Sequence, residues 1–170
     1  MNQTKKAKKL AALLLVSALT SVSYALAAEV SIEVNLPASE GSMNYRPYVA
    51  VWIEDENDQT VKTVAVWRKE ADWLKDMRRW WRKAGRYDQG ELDSVTGATR
   101  RAGVHLVKWD ATDQQGKPVA AGKYTVNIEA SREHGGRSWI RQPMTLGGKN
   151  QVYTTKAAEE LGSMTIKVNN

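Results

Sequence analysis

Most of the chain after residue 28 alternates between apolar and polar side chains, a pattern typical of half-buried β-strands. In AEVSIEVNL, Val30, Ile32 and Val34 share one face. YRPYVAVWIED and TVKTVAVW follow, and the polar turn DENDQ between them predicts a hairpin. The same alternation recurs in GVHLVKW, GKYTVNIEAS, RSWIRQPMTL and GSMTIKVNN. These segments predict a mainly β fold.

A helical period interrupts the strands. Trp73, Met77, Trp80 and Ala84 recur at spacings of four, three and four residues, which predicts one amphipathic helix of about residues 70–85. Leu74 and Trp81 widen its apolar stripe, and the facing surface carries Lys75, Arg78, Arg79, Arg82 and Lys83. The polar stretch that follows, residues 86–103, has neither a helical nor a strand period and is predicted to be a long loop.

Residues 1–27 have the parts of a secretory signal: four lysines, the apolar run LAALLLVSAL and an Ala25-x-Ala27 cleavage pattern. We expect a mature, periplasmic chain, predicted as a single domain, 28–170; an uncleaved N-terminal anchor is the alternative. Without the four signal lysines, 21 basic residues face 19 acidic ones. So small a surplus argues against nucleic-acid binding.

The residue types exclude several kinds of active site. The chain has no cysteine, which removes thiolate catalysis and thiolate metal ligation. Its two histidines are not at metal-ligand spacing, and His105 is predicted to be a buried, hydrogen-bonded strand residue. No motif pairs two acids for general acid–base catalysis. The sequence therefore favours a carrier or a binding protein over a self-standing enzyme, and no metal site is predicted.

The second half of the chain carries a fold signature. Trp109-Asp110, the turn Gly116-Lys117-Pro118 and the strand start Gly122-Lys123-Tyr124-Thr125 follow one another within about twenty residues. This pattern resembles the Ig-like module of flagellar hook-capping proteins. The resemblance implies an Ig-like antiparallel β-sandwich, decorated here by one amphipathic helix and a long loop. It implies little about function, because such sandwiches have many functions.

Within the predicted loop, residues 93–99 read Asp-Ser-Val-Thr-Gly-Ala-Thr. This fits Asp-x-x-Ser/Thr-Gly-Ala-Ser/Thr, which resembles the flavinylation motif in flavoprotein subunits of the Nqr and Rnf complexes. There an FAD:protein FMN transferase joins FMN through a phosphoester to the last Thr or Ser. The resemblance implies covalent FMN on Thr99, with Asp93, Thr96, Gly97 and Ala98 as transferase-recognition residues. The interpretation without modification is a solvated turn.

The residues of this motif suit an acceptor of FMN. An ordinary hydroxyl is a poor nucleophile, so the transferase has to activate it. Gly97 and Ala98 make the segment narrow, and Gly97 is free to adopt a positive φ. Arg100 and Arg101 are expected to hydrogen-bond the phosphodiester.

A further resemblance spans nearly the whole mature chain, from RPYVAVWIEDENDQTVKTVAVW through DWLKDMRRWW and DSVTGATR to KWDATDQQGKPVAAGKYTVNIEASREHGG. These stretches are similar to a family of small periplasmic proteins of unknown function that is linked to flavin transferases and PepSY-type membrane reductases. The resemblance implies electron transfer, with a transferase and a membrane-bound reductase as partners.

The predicted helix has two interpretations. Trp80 or Trp81 could stack on the flavin while Arg78, Arg79 or Arg82 stabilises its anionic form. Alternatively, the apolar stripe covers one face of the sandwich, which we favour for Trp73 and Met77. The cationic face also suits an acidic partner or peripheral contact with the inner membrane. An Ig-like periplasmic adaptor without a cofactor is therefore the alternative function.

Overall fold

The computed structural model describes residues 28–38, 45–87 and 92–170. The predicted signal sequence lies outside these described residues. Within them, the chain forms a sandwich of two β-sheets. The strands are β1 (Glu29–Leu36), β2 (Tyr48–Asp55), β3 (Thr60–Arg68), β4 (Thr96–Ala98), β5 (Gly103–Trp109), β6 (Gly122–Ser131), β7 (Arg137–Leu146), β8 (Gln151–Thr154) and β9 (Thr165–Asn169).

The two sheets have distinct strand orders. Sheet I has the order β5-β1-β9-β8, and sheet II has the order β4-β3-β2-β6-β7. Every pairing is antiparallel except that of β3 with β4. The prediction of a mainly β, Ig-like sandwich is confirmed. Two short strands, β4 and β8, were not predicted.

The core between the sheets follows from the alternation along the strands. On β1, Val30, Ile32 and Val34 are completely buried, while the residues between them are partly exposed. On β2, both faces are buried, because Val49 points into the core and Trp52 points to the opposite side of sheet II. A second layer must therefore cover that outer face of sheet II.

The covering layer is the segment 71–85, which we call the helical segment. Its buried side chains and the outer face of sheet II form one apolar group, which we call the helix-side cluster. The cluster consists of Tyr48, Ala50, Trp52, Val66, Leu74, Met77, Trp80, Ala84 and Leu92. The prediction that this stripe covers one face of the sandwich is thus confirmed for Met77 and Trp80.

The prediction of one regular helix is corrected. The helical segment consists of a 3-10 turn (Ala71–Asp76), one α-helical turn (Arg78–Trp80) and a π turn (Trp81–Gly85). The break falls at Met77, whose ψ of 71° is not helical. A buried carboxylate from β6 causes the restart: Glu129 accepts the backbone N–H groups of Arg79 at 3.2 Å and Trp80 at 2.8 Å.

The prediction that Trp73 covers one face of the sandwich is wrong, since 42% of the residue is exposed. A 3-10 turn has about three residues per turn instead of 3.6, which shifts the phase of the buried stripe before the break. Leu74, and not Trp73, therefore faces sheet II, with 7% of it exposed.

The Trp-Asp pair forms a corner where the chain leaves sheet I. The buried Trp109 donates its indole N–H to the Thr112 carbonyl at 2.7 Å. Asp110 accepts hydrogen bonds from the Thr112 hydroxyl at 2.7 Å and from Lys62 at 3.2 Å. Burial raises the pKa of Asp110, but these donors outweigh it and hold the pKa below its usual value. The fold signature is therefore a structural corner.

Gly85 sits where the helical segment approaches its own tryptophans. A Cβ added there would lie 2.7 Å from two ring carbons of Trp80 and 2.9 Å from Trp81. Because Trp80 is fully buried, we expect Gly85→Ala to lower the free energy of unfolding by about 1–3 kcal/mol, measured by urea denaturation. Gly122→Ala is the control, since its added Cβ would meet nothing closer than 3.9 Å. Equal stability of the two variants would contradict this packing.

Candidate functional site

The flavinylation-like motif is anchored to the protein at its start. Leu92 is buried in the helix-side cluster and opens a 3-10 turn, Leu92–Ser94. The Leu92 carbonyl accepts the Thr96 hydroxyl at 2.6 Å and the Val95 N–H at 3.1 Å. Val95 itself packs against the helix-side cluster. The motif therefore begins in an ordered turn.

The middle of the motif is a strand, which corrects the prediction of a continuous loop. Thr96–Ala98 is β4, and it pairs parallel to β3, with Gly97 opposite Trp67. The Val66 N–H donates to the Val95 carbonyl at 2.9 Å. These backbone bonds fix the motif at the edge of sheet II. Residues 88–91 of the predicted loop lie outside the described residues.

Gly97 does not adopt a positive φ, although glycine is free to do so. Its backbone follows β4, which any residue can adopt. A Cβ added at Gly97 would meet Arg100 at 3.8 Å and Trp67 at 3.9 Å, which are ordinary contacts. The isolated fold therefore does not require glycine at this position.

Thr99 is the first residue after the edge strand. It is partly exposed, between the exposed residues Ala98 and Arg100. Within the described residues, no group hydrogen-bonds the Thr99 hydroxyl. No base is thus in place to activate this hydroxyl, which agrees with the expectation that activation comes from another protein.

Residues 99–102 connect sheet II to sheet I, and we call them the crossing. The chain leaves sheet II at Ala98 and enters sheet I at Gly103, whose φ of 131° suits glycine. Trp67 of β3 and His105 of β5 meet in an edge-to-face contact, with ring centroids 5.4 Å apart. The crossing therefore lies over a contact between the two sheets.

Two interactions tie the crossing to that contact. The Arg100 guanidinium lies 5.6 Å from the centre of the Trp67 ring. The His105 Nε2 lies 2.8 Å from the Arg101 carbonyl. The hydrogen bond expected for His105 is thus present, although the residue is only partly buried. His105 makes no hydrogen bond to the Thr99 hydroxyl within the described residues.

The predicted site residues separate into two groups. Residues 93–101 are contiguous in sequence, and among them Asp93, Ala98 and both arginines are exposed. Trp81 instead lines a pocket with Arg137 of β7. β7 and β4 are the opposite edges of sheet II, four strand spacings or about 19 Å apart. Trp81 therefore shares its pocket with the strand at the other edge, although it and Val95 of the motif pack against the same helix-side cluster.

Sequence reasoning missed Trp67 as part of this site. The residue is 5% exposed, and its sequence context predicts only a strand position. Its contacts with Arg100 and His105 bring together β3, β5 and the crossing, which are far apart in sequence. The alternation in TVKTVAVW indicates that Trp67 faces inward, but it does not indicate what Trp67 meets.

Two further findings bear on the kind of site. Among the described residues, no group of His, Asp and Glu side chains is placed to hold a metal ion. In the same part of the chain, no helix is long and apolar enough to cross a membrane.

Comparison with known proteins gives one family. Residues 29–163 match the family described as Predicted periplasmic protein (DUF2271). This match covers more than half of the chain. No curated protein matches the chain, and no solved structure matches it.

Proposed function

The chain belongs to this family of predicted periplasmic proteins, and we propose that it is a periplasmic electron carrier with FMN joined through a phosphoester to Thr99. The observation that carries the proposal is the position of the Thr99 hydroxyl. It ends a flavinylation-like motif, follows an edge strand and has no hydrogen-bond partner in the described residues. A hydroxyl so placed is accessible to a second protein.

The attachment step needs a transferase and FAD, and this chain supplies the acceptor oxygen. The Thr99 oxygen forms a bond to the phosphorus of the FMN half of FAD. The pyrophosphate bond breaks, AMP leaves, and the hydroxyl proton passes to a base of the transferase. Ala98, next to Thr99, and Asp93, in the turn before β4, are both exposed, which suits the role of recognition residues.

The residues around Thr99 fit a phosphodiester. Its single negative charge would lie beside Arg100 and Arg101, both of which are exposed. Stacking on Trp67 keeps the Arg100 guanidinium near the crossing and leaves its N–H groups available. The two arginines therefore neutralise the linkage, while Trp67 restricts where the first of them can lie.

A covalent tether suits this sandwich. The Thr99 region lies at a sheet edge, between the exposed residues Ala98 and Arg100. A bound FMN supplies one- or two-electron chemistry, and the ester keeps it on the protein at high effective concentration without a deep cavity. The electrons come from a membrane-bound reductase, for which the PepSY-type reductases are the proposed class.

The test is a mass measurement on exported protein, produced with and without an FAD:protein FMN transferase. With the transferase, we expect the intact mass to rise by one FMN less one water, with a fluorescent band in a denaturing gel. Trypsin should release residues 87–100 as one peptide with Thr99 next to its terminal Arg100. Fragmentation of that peptide distinguishes Thr99 from Ser94 and Thr96.

Absence of FMN from this protein would contradict the proposal. A known acceptor labelled in the same cells, together with an unmodified mass for this protein, would leave the motif as a structural turn and crossing. The cofactor-free adaptor would then be the better interpretation.

A further inference from the structure

A basic pocket lies between the helical segment and β7, the strand at the edge of sheet II opposite β4. It has a volume of about 400 Å³, within the range of small-molecule sites. We call it the basic pocket; its lining residues are Lys75, Arg78, Trp81, Arg82 and Arg137. Four of these carry a positive charge, the fifth is aromatic, and none is acidic.

Three of the four cations lack a counter-charge. In the described part of the chain, no carboxylate lies within ion-pairing distance of Lys75, Arg78 or Arg82. Arg82 donates its Nε–H to the Arg78 carbonyl at 3.1 Å, which restrains its guanidinium. Like charges held together in this way repel one another and favour a bound anion.

The fourth cation, Arg137, is fixed by a buried acid. Glu129 is completely buried, and its Oε1 lies 2.6 Å from Arg137 Nη1. The same carboxylate also accepts two backbone N–H groups of the helical segment. Its acceptor capacity is thus shared, and the remaining N–H groups of Arg137 stay available to a ligand.

An aromatic wall completes the pocket. Trp81 is partly exposed. The centroid of its ring lies 6.3 Å from that of the buried Trp80, and the two ring planes are inclined by 57°. Trp80 is fixed in turn by an indole hydrogen bond to Thr63 at 3.2 Å. The neighbouring Arg79 does not line the pocket, because it stacks on Trp139 at 4.5 Å.

We infer that the basic pocket is a non-covalent site for a planar aromatic anion of about mononucleotide size, with a phosphate-like group. The ring stacks on Trp81, and the anionic group is held by Arg78, Arg82 and Arg137 through charge-assisted hydrogen bonds. A small ligand is favoured over a lipid surface because the charges line a concavity, whereas a flat membrane contacts protruding groups. This inference does not depend on covalent flavin at Thr99.

The test uses the mature Thr99→Ala protein, so that no covalent flavin interferes. Calorimetric titration with FMN, riboflavin and inorganic phosphate separates the two parts of the ligand. We expect saturable FMN binding. Riboflavin and phosphate should each bind at least about tenfold more weakly, because each lacks one set of contacts. Riboflavin or phosphate binding as tightly as FMN would overturn the inference, as would no saturable FMN binding.

Matched variants locate the site. Arg78→Gln combined with Arg82→Gln should weaken FMN binding about tenfold or more. Lys117→Gln combined with Lys149→Gln removes the same charge from exposed positions elsewhere and should change nothing. Trp81→Leu should weaken binding, whereas Trp73→Leu, an exposed tryptophan of the same segment, should not.

A membrane role would give a different result. If the arginine variant loses binding to vesicles containing anionic lipid but binds FMN as before, this face is a membrane-contacting surface and the proposed pocket ligand is wrong.

Discussion

Thr99→Ala is expected to carry no covalent flavin, while Thr99→Ser keeps it. The serine retains the hydroxyl that forms the ester, and the alanine lacks it. Both proteins should fold, because Thr99 is partly exposed and its hydroxyl has no partner in the described residues. Surface changes of this kind alter stability by about 0.5 kcal/mol or less. Intact mass and in-gel fluorescence after co-expression with the transferase measure the difference.

Thr154→Ala is the matched control for this prediction. It makes the same change at an exposed threonine of β8, in the other sheet, and should keep full flavin loading. Flavin that stays covalently bound to Thr99→Ala would show that the ester is elsewhere. Ser94 and Thr96 would then be the first positions to map, because they share the tryptic peptide.

Local patterns were sufficient for most of the sandwich. A strand that buries one face alternates strictly, as β1 does, and β2 is apolar on both faces because both are covered. The helical spacing of Met77, Trp80 and Ala84 predicts the covering layer. Such signals are local, since each depends only on side chains within one segment.

Long-range contacts account for what the sequence did not predict. The helical segment restarts after Met77 because Glu129, about fifty residues later, caps the new turn, and no local pattern reports that. β4 has only three residues and pairs parallel to β3, so alternation could not reveal it. The contact of Trp67 with His105 likewise requires both sheets to be in place.

The candidate site divides in the same way. Thr99 was predicted from a contiguous motif, which needs no tertiary information. Trp81 was grouped with it because the residue is aromatic and close to arginines in sequence. In the fold, Trp81 shares a pocket with Arg137, while Thr99 follows β4 at the opposite edge of the sheet. Sequence proximity thus grouped Trp81 with the motif, whereas the fold also places it in a pocket beside β7.

Glu129→Ala, on β6 beneath the helical segment, is expected to lower the free energy of unfolding more than Gly85→Ala does. The substitution leaves the Arg79 and Trp80 N–H groups without their acceptor and removes the partner of Arg137. The Arg137 side chain is 42% exposed and can be solvated by water, so the main cost is that of the two backbone N–H groups left without an acceptor, about 1–3 kcal/mol each. Urea denaturation, followed by tryptophan fluorescence, should show this decrease in the free energy of unfolding.

Two further variants separate the roles of Glu129. Glu129→Gln keeps one acceptor oxygen and should cost less, about 1.5–3 kcal/mol, because only the charge-assisted part of the bonding is lost. Glu133→Gln, an acid on the turn after β6 whose partner His134 lies 3.8 Å away at an exposed position, should cost about 0.5 kcal/mol or less. If Glu129→Ala were as stable as Glu133→Gln, the carboxylate would not be what restarts the helical segment after Met77. Because Glu129 also positions Arg137, the alanine variant should weaken FMN binding in the basic pocket under conditions where it remains folded.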